Sequence, residues 1–236
     1  ECAPMLCAPA YYGPAPGHCS KQLVFWGLWL LWPLLLALVV WAWRRRRRWN
    51  GWEWGAWTIA VCAVAVPLDM RFVERQWIVE RHTALELGFA ARMAVISDIH
   101  LGLFKDEAFA ERVVARLNAL DVDVVLFAGD WTYQPTRPIA ELVAPFSKLR
   151  HTMLSVPGNH DEQQPGPPLV KPLRDALIAV GIEPVEYTHH RLATFTVVGL
   201  GDHWAGKDGI GPLNAAPRDR PIVVLTHQPD TVMRFA

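Results

Sequence analysis

The chain opens on two long apolar stretches and then changes its period. Residues 23–43, LVFWGLWLLWPLLLALVVWAW, carry no charged side chain. A helix needs about 20 apolar residues to cross the hydrocarbon core of a bilayer, and Pro33 is tolerated inside a membrane helix. The run is too long for the apolar core of a signal peptide, and the arginines after it offer no small-residue cleavage site. One span is therefore expected over 23–43. A second stretch, 52–68, is apolar only from Trp54 to Leu68, and extending it backwards admits Glu53 and Asn50. It fits a span with its ends at the interface, a helix lying flat, or a buried core helix; the span is the reading adopted. A membrane anchor over 21–69 follows, with a domain over 70–236 behind it.

Beyond Asp69 the apolar runs shorten and alternate with amphipathic ones. Residues 72–90 predict a strand or hairpin at the domain entrance, since the stretch RFVERQWIVERHTALEL (71–87) alternates in part. Short runs at 93–97 (MAVIS), 122–128 (VDVVLFA), 152–156 (TMLSV), 194–201 (TFTVVGLG) and 221–227 (PIVVLTH) predict buried strands. Between them, 106–120 sets Phe109, Val113, Leu117 and Leu120 on one helical face. Residues 137–149 read as a shorter helix broken near Pro145. Residues 171–181 read as a helix with Pro near its start and Gly past its end. Strands alternating with helices imply an α/β fold with a largely parallel core.

Composition adds a direction to this outline. Net charge is zero, yet Arg44 to Arg48 form an unbroken run, and from Asp69 onward 17 Lys and Arg face 21 Asp and Glu, a net of −4. An acidic domain without a basic, aromatic-laced stripe argues against a nucleic-acid partner. Ten of the twelve Trp lie between Trp26 and Trp77, as befits side chains that settle at membrane interfaces. Lys- and Arg-rich short loops stay cytoplasmic, so the arginine run anchors the loop between the two apolar segments there. Two spans then place the domain outside the cytoplasm; one span leaves it inside. Cys2, Cys7, Cys19 and Cys62 fit no zinc-binding spacing. Residues 1–20, rich in Pro, Gly and Ala, are expected to form a disordered tail.

The chemistry sits where the strands end. In parallel sheets ligands bind just beyond the carboxyl ends of the strands. The first run ends in Asp98-Ile99-His100, the second in Gly129-Asp130, the third in Pro157-Gly158-Asn159-His160-Asp161, and the last in His227. Singly, each is ordinary turn or capping chemistry. Together they bring carboxylate, imidazole and amide oxygen, without thiolate, to one sheet edge. That donor set suits Mn, Fe, Zn or Co at a two-metal centre with one bridging carboxylate.

The motifs SDIHLG, FAGDW, PGNHD and LTHQP, in this order, resemble the calcineurin-like metallophosphoesterases, over about residues 92–236. The anchored N-terminus is similar to the membrane-associated bacterial branch of that family. The resemblance implies an α/β sandwich of β-sheets flanked by helices, preceded by transmembrane helices. It implies two divalent metal ions, with Asp98 and His100 on the first, Asp130 bridging, and Asn159 and His227 on the second. It makes His160 a catalytic residue near the phosphate rather than a ligand, with Gly129 and Gly158 allowing tight backbone turns. The implied activity is metal-dependent hydrolysis of phosphoester bonds at a bacterial cell membrane, with a lipid-linked substrate and the bilayer as fitting partners. Two alternatives stand beside it: a hydrolase like those that cleave the pyrophosphate of UDP-2,3-diacylglucosamine in lipid A biosynthesis, favoured by a cytoplasmic domain, and a membrane-tethered metal-binding pseudoenzyme.

Two departures from the family pattern matter. Three residues after Asp130, where the family often carries a carboxylate or amide, stands Tyr133. The Gly-His-x-His motif that closes the family's site does not occur, and the sequence ends at Ala236. This reads as a C-terminal truncation that leaves each metal one ligand short, so the 236-residue polypeptide alone is expected to bind metal weakly and turn over little. His203, His189 and His190 are not taken as substitutes; the last two are expected in a solvent-facing turn.

Overall fold

The structure is a computed structural model and describes residues 11–13, 17–163 and 166–235. Most of the expected tail, residues 1–10 and 14–16, and with it Cys2 and Cys7, lies outside the described residues. Cys19 is disulfide-bonded, and Cys62 is an exposed free thiol. The described residues divide into two units, Cys19–His82 and, together with residues 11–13, 17 and 18, 83–235.

The first unit is a helical hairpin. Helices α1 (His18–Gly27) and α2 (Leu31–Arg45) are joined by a 3-10 turn, Leu28–Leu30, and α3 spans Gly51–Phe72. Cys19–Arg45 and Gly51–Gln76, of 27 and 26 residues, are long and apolar enough to cross a membrane. The two polar residues at the start of the second segment have a local purpose. Asn50 caps α3 by accepting from Glu53 N at 3.0 Å, while Glu53 Oε2 accepts from Asn50 N at 2.9 Å. This reciprocal box satisfies backbone donors that the first helical turn would leave unpaired. Trp57 Nε1 donates to Leu38 O at 3.0 Å, and the rings of Trp41, Trp49 and Trp54 pack edge to face, fastening the two helices.

The second unit carries two larger sheets and a two-stranded pair. In chain order it holds β1 (Met93–Ile96), β2 (Leu101–Gly102), α4 (Glu107–Asn118), β3 (Val124–Ala128), β4 (Thr132–Tyr133), α5 (Ile139–Val143), β5 (Met153–Val156) and α6 (Asn159–Glu162). It continues with α7 (Val170–Ala179), β6 (Glu183–Pro184), β7 (His189–Arg191), β8 (Thr196–Gly199), α8 (Gly211–Ala215) and β9 (Ile222–Leu225). The first sheet is all parallel, in the order β1-β3-β5-β6, and β2 pairs with β4 beside it. The second has the order β7-β8-β9, with only β7 antiparallel.

Alternation along the strands assigns the faces. Val124 and Leu126 of β3, with Leu154 and Val156 of β5, meet Phe195, Val197 and Leu225 from the second sheet in one core. The sheets thus form a sandwich, and each such side chain taken out of water contributes about 1.5–3 kcal/mol. On the opposite face of β3, Phe127 stacks on Trp131, which packs against Phe146. Trp131 Nε1 donates to Ser155 Oγ at 2.7 Å, so the buried indole leaves no donor unpaired.

Two expectations are corrected. Residues 77–92 form no strand: this stretch is mostly exposed and joins none of the sheets. His189 and His190 lie in a strand, β7, on the edge of the second sheet, with His190 Nδ1 2.9 Å from Glu183. An edge strand that keeps one side wet can afford such polar residues.

Candidate metal centre

Parallel pairing in register places the carboxyl ends of β1, β3 and β5 side by side, and the three loops that leave them carry Asp98 and His100, Asp130, and Asn159 and His160. The ladder continues into the first two loops. Asp98 N donates to Gly129 O at 3.0 Å, His100 N to Asp130 O at 3.1 Å, and Leu101 N to Trp131 O at 2.8 Å. Holding those bonds while turning both side chains to the same side forces the backbone: Asp98, His100 and Asp130 all have positive φ, at 57°, 49° and 61°. Non-glycine residues there are strained by about 1–3 kcal/mol each, and such strain collects where a site over-determines its geometry.

Asp130 is the centre. Its carboxylate is buried, and its Oδ2 lies 3.4 Å from His227 Nε2, 3.7 Å from His100 Nε2 and 4.0 Å from His160 Nε2. Its Oδ1 accepts from His160 N at 2.9 Å, pinning the loop after β5 to the loop after β3. His100 Nε2 is also 3.4 Å from Asp98 Oδ1. His227, brought in by β9 of the second sheet, bonds Ala128 O through Nδ1 at 2.7 Å, which aims Nε2 at Asn159 Oδ1, 3.1 Å away. Gln228 Nε2 donates to the same Asn159 oxygen at 3.3 Å.

Two glycines make this approach possible. A Cβ on Gly129, whose φ is +88°, would meet Gly158 N and His227 Nδ1 at 2.8 Å, and one on Gly158 would collide with the Asp130 carboxylate. The ligand-bearing loops come closer than any side chain would allow.

The electrostatics match a cation site. The hydrogen bond from His100 draws the Asp98 carboxyl down to about 2 against the opposing effect of burial, with Ser97 and the His227 charge assisting. Burial lowers the His227 imidazole, but its hydrogen bond to Asp130, the Asp130 charge, the Ala128 carbonyl and Asp98 together raise it to about 9. The pocket thus draws positive charge to itself. Two groups could hold an ion, His100 with Asp130 and His160, and Asp98 with Asp130 and His227, and the donor atoms within each group lie within 4.8 Å of one another. The donors are carboxylate and imidazole, with Asn159 Oδ1 alongside, which suits hard to borderline divalent ions.

All six expected site residues converge on this edge. His203 does not join them: its Nδ1 is 2.6 Å from Asp208, which Arg234 also engages. Sequence reasoning passed over Asp161. It is fully buried and accepts from Gly158 N (3.0 Å), Trp131 N (3.2 Å), Thr132 N (3.0 Å) and Thr132 Oγ1 (2.9 Å), tying the loop after β3 to the loop after β5. The only signal for it was its place at the end of PGNHD. Burial pushes its carboxyl up to about 6, but four converging donors leave no acceptor for an acid proton, so it sits there ionised.

Comparison with known proteins agrees with this geometry. The chain is 27% identical over 155 residues to a zebrafish (Danio rerio) protein described as a transmembrane protein with metallophosphoesterase domain, covering 58% of this chain and 35% of that one. It is 25% identical over 149 residues to an uncharacterized metallophosphoesterase of Helicobacter pylori strain 26695, covering 60% of this chain and 39% of the other. The chain therefore spans between a third and two fifths of the length of these curated relatives. No solved structure matches it significantly. The family profile for calcineurin-like phosphoesterase matches residues 91–235, from just before β1 to the turn beyond His227, so the strand-end motifs and the sandwich that presents them lie within one match over more than half of the sequence, and the chain belongs to the calcineurin-like phosphoesterase family.

Proposed function

We propose that the protein is a membrane-anchored hydrolase of phosphoester bonds that works with two divalent metal ions. Asp98 and His100 would hold the first and Asn159 and His227 the second, with Asp130 shared between them. The observation that carries the reading is one buried carboxylate, Asp130, within 4.0 Å of imidazole nitrogens delivered by three separate strand ends. Such ions, when bound, polarise phosphoryl oxygens and lower the pKa of water.

The chain's own groups supply the rest. Asp98 and Asp130 set the negative field that retains cations, and Ala128 O orients His227, as second partners of ligand histidines commonly do. His160 is anchored by its backbone to Asp130, while its side chain is 39% exposed. It can therefore reach a substrate oxygen and hand its Nε2 proton to the leaving group. The two apolar helices support membrane attachment. With both spanning, the arginine loop stays cytoplasmic and the site faces the outside, where a lipid-linked phosphoester is a fitting substrate.

The test is metal content and hydrolysis of bis(4-nitrophenyl) phosphate by the full-length gene product in detergent, with added Mn²⁺. Two bound ions and turnover, both lost in Asp130→Asn, support the reading. Metal binding with no hydrolysis of any phosphomonoester, diester or pyrophosphate makes it a tethered binding module instead. Activity confined to a nucleotide-sugar pyrophosphate makes it a pyrophosphatase of the lipid A type.

A further inference from the structure

Tyr133 does no work in the reading above, yet its ring packs against two histidines of the centre. Its backbone is fixed by β4, in register with β2, and by Leu103 N donating to Tyr133 O at 3.0 Å. A Cβ on Gly102, φ +138°, would meet that same oxygen at 2.5 Å, so the two short strands are held as tightly as the ligand loops. The ring lies with its centroid 4.9 Å from His160 and 5.5 Å from His100, edge to face with both. Phe104 stacks against it at 5.1 Å and 25°. Tyr133, Phe104, His100 and His160 are all half-buried, so the cluster is open to solvent on one side.

Resting on the assignment of His160 as proton donor, we propose that Tyr133, backed by Phe104, is a specificity-determining wall that selects phosphoesters whose leaving group carries a planar aromatic ring. An oxygen that takes a proton from His160 lies about 3 Å from its ring. The substituent on that oxygen then extends into the space bounded by Tyr133, one ring's width away. Aromatic faces and edges reward a planar π-system there over an alkyl group of similar size. The stacked pair, fixed by Phe104 and by the β2–β4 pairing, meets it without ordering a loose side chain.

The experiment compares binding of phenyl phosphate, ethyl phosphate and inorganic phosphate to Mn²⁺-loaded, full-length protein by calorimetry, alongside KM for aryl and alkyl diesters. Wild-type protein is expected to bind phenyl phosphate about tenfold more tightly than ethyl phosphate, the scale of one good aromatic contact. Tyr133→Phe keeps that ratio. Tyr133→Leu and Tyr133→Asn reduce it to near one, with affinity for inorganic phosphate within about twofold of wild type. An unchanged ratio in both overturns the wall. So does a parallel loss of inorganic phosphate affinity, which assigns Tyr133 to packing of the histidines. Failure of loaded wild-type protein to bind inorganic phosphate at all overturns the hydrolase reading and the wall with it, a result distinct from either of the others.

Discussion

Asp161 shows how much of the centre depends on a side chain that touches no ligand. Its two oxygens satisfy four donors from Gly158, Trp131 and Thr132 inside a fully buried pocket. Asp161→Asn keeps the shape but turns an amide N–H₂ toward N–H groups, leaving buried donors unpaired. Urea unfolding is expected to show a loss of about 3 kcal/mol, together with at least a tenfold loss of Mn²⁺ affinity as Asn159 and His160 drift from Asp130. Unchanged stability would mean that the four donors find other acceptors. His227 makes a different prediction, for the metal-free protein. Its imidazole is raised to about 9 from 6.5, chiefly by Asp130 against the pull of burial. A raised folded pKa contributes stability that is complete below 6.5 and is lost as pH rises through 9. Apo-protein in EDTA should therefore lose roughly 3 kcal/mol between pH 6.5 and 9.5, and Asp130→Asn should flatten that slope. Equal slopes in the two proteins would detach His227 from Asp130.

At the scale of elements, the loops matter more than the strands that deliver them. Gly158→Ala drives a methyl group into the Asp130 carboxylate. Because overpacking costs about 1–3 kcal/mol, the protein should stay folded by circular dichroism and lose most of its metal affinity. Retained affinity would mean that the loops can part without cost. What the sequence made legible follows the same division. The runs at β3, β5 and β8 could be read because those strands are buried on both faces and appear as continuous apolar segments; β1 and β9 are more exposed, but their residues are as continuously apolar. Their terminal Asp, Asn and His residues could be read because strand ends are where such sheets bind ligands. The two-residue strands β2 and β4 have no period to detect, yet they lock Tyr133 against His100. Helix α6 is four polar residues, Asn159 to Glu162, and reads as a turn; its burial comes wholly from tertiary bonds such as those to Asp161. The alternation within 72–90 suggested a strand, but a strand exists only with a neighbour, and pattern alone cannot supply one.

At the scale of the whole molecule, one side chain tests whether the second apolar helix crosses a bilayer. Cys62 is an exposed thiol within the helical stretch Gly51–Gln76. If that stretch crosses a bilayer, Cys62 lies in hydrocarbon, where a thiol meets no water and is not ionised to the reactive thiolate. In a protein with Cys2, Cys7 and Cys19 replaced by Ser, a charged maleimide added to membranes opened to both faces should leave Cys62 unlabelled. Full labelling should appear once detergent or SDS replaces the lipid. Labelling in intact bilayers would place the second helix at the surface and leave Cys19–Arg45 as the one span among the described residues. The outcome decides the side. With two spans, the arginine loop stays cytoplasmic and the residues beyond the second helix emerge on the opposite face. With one span, the residues beyond the second helix stay on the side of the arginines.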